Sequence, residues 1–268
     1  MTDAFSQLQF VEVTKRRGRW VGPFIVLLVV IGLLAAAFFV VDNVARGYAA
    51  NRVEAKVRSS LELPSSTPVD VTFAGPSVLL QLVGGTFEQV DIAIGGLSVG
   101  DLSGDATLTA RGIPVDQNKA IDSVRVEFSA DQSQLQKLVG DIQGMPVSSL
   151  AVKSGAIQVA TTVNMLGVQL PVGIAFAPTA VDGQLVLTPK SVELNGKSLT
   201  PAELTSSLGP VGSALGAPRN ICVASRLPKD FTLDSVAVSG DDLTLAVSAK
   251  SVVLGSQLLS TKGVCPAT

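Results

Sequence analysis

The chain has 268 residues, of which 47% are hydrophobic and 16% charged, with a net charge of −2. Globular domains carry about 25% charged residues at similar apolar content, so charge is scarce although the chain is not of disordered composition. It has no histidine and only two cysteines. That excludes Ser-His-Asp and Cys-His machinery, His-ligated zinc or haem iron, and four-cysteine metal or cluster sites; the acidic balance offers no general footprint for nucleic acid.

Residues 1–20 end in a dense basic group, Lys15, Arg16, Arg17 and Arg19. Residues 21–41, VGPFIVLLVVIGLLAAAFFVV, carry no charge. As a helix they would span about 31 Å, close to the hydrocarbon thickness of a bilayer. The basic flank predicts a cytoplasmic N-terminal segment and a single-pass span in the cell membrane. Trp20 and Tyr48, each the only residue of its type, stand near the ends where aromatic rings favour the lipid–water boundary. A cleavable signal peptide would have an apolar region of about 7–15 residues ending at small residues. Ala35-Ala36-Ala37 supplies that pattern, but Phe38 to Val41 carry the apolar run past it. The length therefore predicts an uncleaved signal anchor, and either reading exports the rest of the chain.

Residues 42–64 read as a juxtamembrane helix. Val53, Val57 and Leu61 recur on one side, Arg52, Glu54, Lys56 and Arg58 lie elsewhere around it, and Pro64 and Pro68 stop it. Arg46, Arg52, Lys56 and Arg58 form a local basic group, most simply a solvated helix face.

Residues 65–268 then form one extracytoplasmic domain. A short helix, Ser77 to Val83, ends at Gly84-Gly85. Val124, Val126 and Phe128 alternate with polar neighbours and predict a strand. Asp131 is a candidate N-cap for a helix carrying Leu135, Leu138, Val139 and Ile142. Residues 156–176 read as a hairpin turning at Met165-Leu166-Gly167. Thr200, Pro201 and Glu203 make a capping box opening a helix over 201–215, to be broken or kinked at Gly209-Pro210. Leu243, Leu245 and Val247 alternate once more. Period-two strands with interspersed short helices define an α+β class with antiparallel pairing.

Gly96-Leu97-Ser98-Val99-Gly100 matches G-x-S-x-G. A nucleophile elbow needs a following helix and a base for the serine. Asp101, Ser103 and Gly104 follow instead and no histidine exists, so the segment reads as a glycine-rich turn. Asp101, Asp105 and Asp241-Asp242 lack the calcium-loop pattern and read as acidic turn residues. No catalytic residue, metal ligand or cofactor motif is expected. Cys222 and Cys265, both exported, predict one disulfide, which would close a long loop and pin the C-terminal tail.

The stretch Val69 to Leu97, VDVTFAGPSVLLQLVGGTFEQVDIAIGGL, resembles the LmeA-type family of actinobacterial envelope proteins, described as phospholipid-binding. Gly75, Pro76, Leu79, Gln81, Leu82, Gly85, Val90 and Ile92 carry the likeness. The resemblance implies a fold like that of tubular lipid-binding domains, with a long curved antiparallel sheet wrapped around short helices and an apolar groove. It also implies binding of anionic or phosphatidylinositol-type phospholipid in cell-envelope lipid or lipoglycan assembly, without catalysis and with an envelope-assembly enzyme as a candidate partner. Leu79, Leu82, Leu135, Leu138, Leu204 and Leu208, all on apolar helix faces, would then line the groove. The rival readings are an envelope scaffold that binds only proteins, and a hydrolase using Ser98.

Overall fold

The computed structural model describes residues 21–268 apart from 100–101, 117, 139–140, 143–144, 154, 166–167, 195, 254–260 and 266–268. The basic segment 1–20, Asp101, Val139 and the Leu166-Gly167 turn thus lie outside the described residues. The chain divides into two compact units, Met1–Ala45 and Arg46–Thr268. Helix α1 is continuous from Val21 to Ser60. In its first unit the large apolar side chains from Leu28 to Val41 face outward. Its most apolar stretch has mean hydropathy 2.3, long and apolar enough to cross a membrane.

The second unit opens on the rest of α1. Ala49, Ala50, Val53 and Val57 pack against strands β1 (Val69–Ala74) and β2 (Thr86–Val99) and against Val78 of α2 (Val78–Gly84). The helix that continues the apolar run is therefore also the first packing element of the domain. Ser77 caps α2 by accepting from the Leu80 N–H at 3.1 Å, and Gly85, at φ 78°, closes it in the left-handed conformation.

The first sheet has six antiparallel strands in the order β1-β2-β3-β4-β13-β12. It joins β3 (Leu102–Pro114), β4 (Ala120–Asp131), β12 (Thr232–Ser239) and β13 (Asp242–Val253) to β1 and β2. The predicted alternation in 124–128 and 243–247 is realised as adjacent strands, with Phe128 opposite Leu245 and Val126 opposite Val247.

The second sheet runs β10-β9-β8-β7-β6-β5, with β11 also on β9. Its strands are β5 (Asp141–Ile142), β6 (Met145–Lys153), β7 (Ala156–Met165), β8 (Val168–Val181), β9 (Gln184–Leu194), β10 (Lys197–Leu199) and β11 (Arg219–Ile221). The predicted hairpin is β7–β8, in register from Ile157 opposite Phe176 to Met165 opposite Val168. Neither sheet closes on itself. Val152, Val159, Val172, Ile174, Phe176 and Val192 form a buried core with Leu135 and Leu204, and Leu102, Phe128, Val238 and Leu243 of the first sheet pack against it.

The helix expected from Asp131 is shorter than the spacing predicts. Asp131 accepts from the Gln134 N–H at 3.0 Å and starts α3 (Gln132–Leu135), a 3-10 turn follows to Leu138, and Ile142 lies in β5 opposite Met145. Gly140 weakens the helix and β-branched Ile142 suits a strand, so local propensity overrides the i, i+7 match. The predicted break at Gly209-Pro210 gives two helices, α4 (Pro201–Leu208) and α5 (Pro210–Gly216). The Thr200–Glu203 capping box forms in both directions. Cys222 and Cys265 are bonded, with Cα atoms 5.9 Å apart. The Lys229 and Gly263 N–H groups, bonded to Thr261 and Leu227 carbonyls, lace the tail to residues 227–229.

Candidate functional site

The two faces of the first sheet differ in chemistry. On one face Arg125 pairs with Glu127 at 2.9 Å and with Asp234 at 3.1 Å, Thr109 donates to Asp91, and Arg111 donates to Gln89. These are exposed polar contacts, which orient side chains more than they stabilise the fold.

The other face is apolar across the sheet. The register aligns Val71, Ile92, Leu108, Val126 and Val247 in one row, and Val69, Ile94, Ala106, Phe128, Leu245 and Val236 in the next. Protein covers it at its margins. Val71, Ile92 and Ile94 are buried beneath α1, Ala110 and Val124 beside Ile121 and Phe231, and Ala130 against the second sheet. Between these margins Leu108, Val126, Phe128, Leu245, Val247 and Val236 are only half-buried. Strands β3, β4 and β13 are interior strands, whose apolar face would be fully buried beneath a complete packing layer. The cover is partial: Leu108, Val126 and Phe128 also pack on the neighbouring core clusters, and a half-buried apolar floor runs across β3, β4, β13 and β12. At about 4.8 Å per strand, that floor is about 14 Å wide.

Five of the six predicted leucines fall into two groups. Leu135 and Leu204 are buried in the core shared with the second sheet, Leu204 fully at 0% exposure, and Leu208 is half-buried against them. Leu79 is half-buried and Leu82 exposed on α2, at the opposite margin of the apolar face. The side chain of Leu138 lies outside the described residues. The residues of the floor were missed as a site because alternation identifies an apolar face without revealing what covers it.

Two hollows are polar. A trough of about 230 Å³ on the outer face of the second sheet is floored by small residues such as Ala160, Gly173, Ala175 and Ser191, with Gln158 and Glu193 at its side. A second, of about 310 Å³, is lined by Ser103, Asp105, Ser129, Asp131, Gln134 and Asp242. The carboxylate of Asp105 accepts the Gly96 N–H at 2.9 Å, and Ser98 meets the hydroxyl of Ser103 at 3.0 Å. Hydrogen bonds from the Ser133 hydroxyl and the Gln134 N–H hold the Asp131 carboxyl below its ordinary pKa. Ser98 lies in strand β2 with a hydroxyl, not a base, as its partner, so the elbow geometry is absent. Among the described residues no group of three His, Cys, Asp or Glu could hold a metal ion.

The second unit is thus an open antiparallel domain with a half-buried apolar face. Residues 40–248 match the model of the LmeA-like phospholipid-binding family, and the chain belongs to that family. Neither a curated protein nor a solved structure gives a significant match.

Proposed function

We propose that this chain is a membrane-anchored, extracytoplasmic protein that binds anionic phospholipid, without catalysis, in the assembly of cell-envelope lipids or lipoglycans. The observation that carries the reading is the half-buried apolar row across β3, β4, β13 and β12. Each CH₂ of an acyl chain laid on it contributes about 0.8 kcal/mol if fully buried. Leu208 and Leu79, half-buried at opposite margins, are the predicted leucines best placed to touch that chain, with Leu135 and Leu204 as backing. Family membership supports phospholipid as the ligand. The length of the apolar run and the basic group before it support an anchor with a cytoplasmic N-terminus.

Native mass spectrometry of the detergent-free unit 46–268 tests the lipid. The expected result is a bound phospholipid mass, or its uptake from anionic vesicles. A domain that neither carries lipid nor takes any up is the scaffold of the rival reading. A reporter fused after Thr268 tests topology: it should work only outside the cytoplasm, and a mature chain beginning near Phe38 would mean cleavage.

A further inference from the structure

Helix α2 turns its one polar side chain inward and most of its apolar ones outward. Its sequence, VLLQLVG, holds one polar side chain, Gln81, and that residue is buried. Gln81 Nε2 donates to the Ala74 carbonyl at 3.0 Å and its Oε1 accepts the Glu88 N–H at 2.7 Å, so both ends of the amide are used inside. Val78 is buried beside it and Leu79 is half-buried, but the other apolar residues face out: Leu80 is 58% exposed, Leu82 49% and Val83 88%. At about 100° per residue, Leu82, Leu79, Val83 and Leu80 succeed one another around about 160° of the helix, with no charge among them. The Val115 N–H bonds to the Gly85 carbonyl at 3.0 Å, which adds the exposed Val115 beside the end of α2. In a water-soluble domain the amide would face out and the leucines in.

Chain connectivity points to the occupant of that face. Arg46, the first residue of the second unit, donates through its guanidinium to the carbonyls of Phe73 and Gly75, immediately before α2. Arg46 is five residues beyond Val41, the last of the apolar run. Even fully extended, five residues keep it within about 18 Å of that point. The same stretch of α1 supplies Tyr48, exposed, with the Arg52 guanidinium 5.9 Å from its ring, and Lys56, while Arg58 is paired with Glu54 at 2.9 Å.

We propose that α2 is a membrane-docking element: its Leu80–Leu82–Val83 surface lies in the headgroup boundary of an anionic bilayer, and holds the domain down on the surface that supplies its lipid. This rests on the anchored, lipid-binding reading above. An apolar helix face inserts at that depth, and nearby cations favour anionic headgroups.

The test uses the full-length chain in vesicles of phosphatidylcholine and phosphatidylglycerol. Both native cysteines are bonded to each other, so a nitroxide reacts only at an introduced thiol. Val83→Cys, on an exposed position, is compared with Lys190→Cys on the second sheet. The expected result is a several-fold higher ratio of oxygen to nickel-chelate accessibility at Val83→Cys, lowered when Leu80→Ser is added. A ratio equal to that at Lys190→Cys, in a chain that floats with vesicles and carries phospholipid, overturns the docking alone. Dipolar broadening between labels identifies a second copy as the occupant and overturns it too. A chain that fails to float overturns the anchor and the docking together.

Discussion

Gly212 of α5 lies so close to Leu204 of α4 that a Cβ on it would sit 2.0 Å from the Leu204 carbonyl oxygen. The close approach is what lets two short helices fold back on each other while Leu204 stays fully buried. Ala in place of Gly normally favours a helix by about 1 kcal/mol. Here the obstacle is backbone, which cannot swing aside, so Gly212→Ala should destabilise by about 1–3 kcal/mol. Urea unfolding measures this; a more stable variant would show that the helices do not pack so closely.

Val247 and Leu204 make a contrasting pair. Leu204→Ala should cost about 2–5 kcal/mol, as a large-to-small change in a closed core. Val247 is only half-buried on the open apolar face. Val247→Trp should fold with a melting temperature near that of the wild type and lose most bound phospholipid, because the indole occupies the floor. Leu245→Asp should also fold, its carboxylate remaining partly hydrated. If both variants unfold, the face is a closed core and the lipid lies elsewhere.

The starts and breaks of the helices were legible because their signals are local, though the length of α3 was not. Asp131, Thr200 and Gly209 each act within four residues, and each cap or break stands where the sequence puts it, whereas Ser77, read as the first helical residue, is the cap of α2. The hairpin β7–β8 was legible for the same reason. That β13 pairs with β4 was not, because alternating segments so far apart carry no mark of their partner. The outward face of α2 was only half legible: its leucines were read as a groove lining, and nothing in a seven-residue pattern says that Gln81 would be the residue turned inward.

The disulfide and the tail bonds act together on the C-terminus. Cys222 and Cys265 are 43 residues apart, and the chain-entropy model gives about 4 kcal/mol for such a loop, at its upper end. Cys265→Ser should lower the melting temperature without abolishing the fold, since the bonds of residues 261–263 remain. Exported wild-type protein should show no alkylatable thiol under native conditions; two reactive thiols would contradict the bond.

Stability should fall in acid partly through α4. The Thr200 N–H and hydroxyl, both bonded to the Glu203 carboxylate, hold its pKa below 4.5. A depressed folded-state pKa gives stability that is present above the unfolded value and lost as pH falls through the folded one. Thermal melts of Glu203→Gln should therefore fall less steeply than wild type as pH drops below 4.5. Parallel curves would mean the capping box adds no charge-dependent stability.

The pairing of β13 with β4 sets the order in which the molecule can be finished. Ser129 and Thr244, hydrogen-bond neighbours across those strands, are 115 residues apart in the chain. Between them lies the second sheet, largely built of neighbouring strands joined by short turns. During synthesis, β4 thus presents an unpaired edge, beside a half-covered apolar face, until β13 has emerged. Such an edge invites association with other chains. Closing so long a loop is also the kind of step that slows folding. The period of greatest exposure falls between the appearance of β4 and that of β13, so a chain truncated before Asp242 should be far more prone to aggregate than one lacking only the tail.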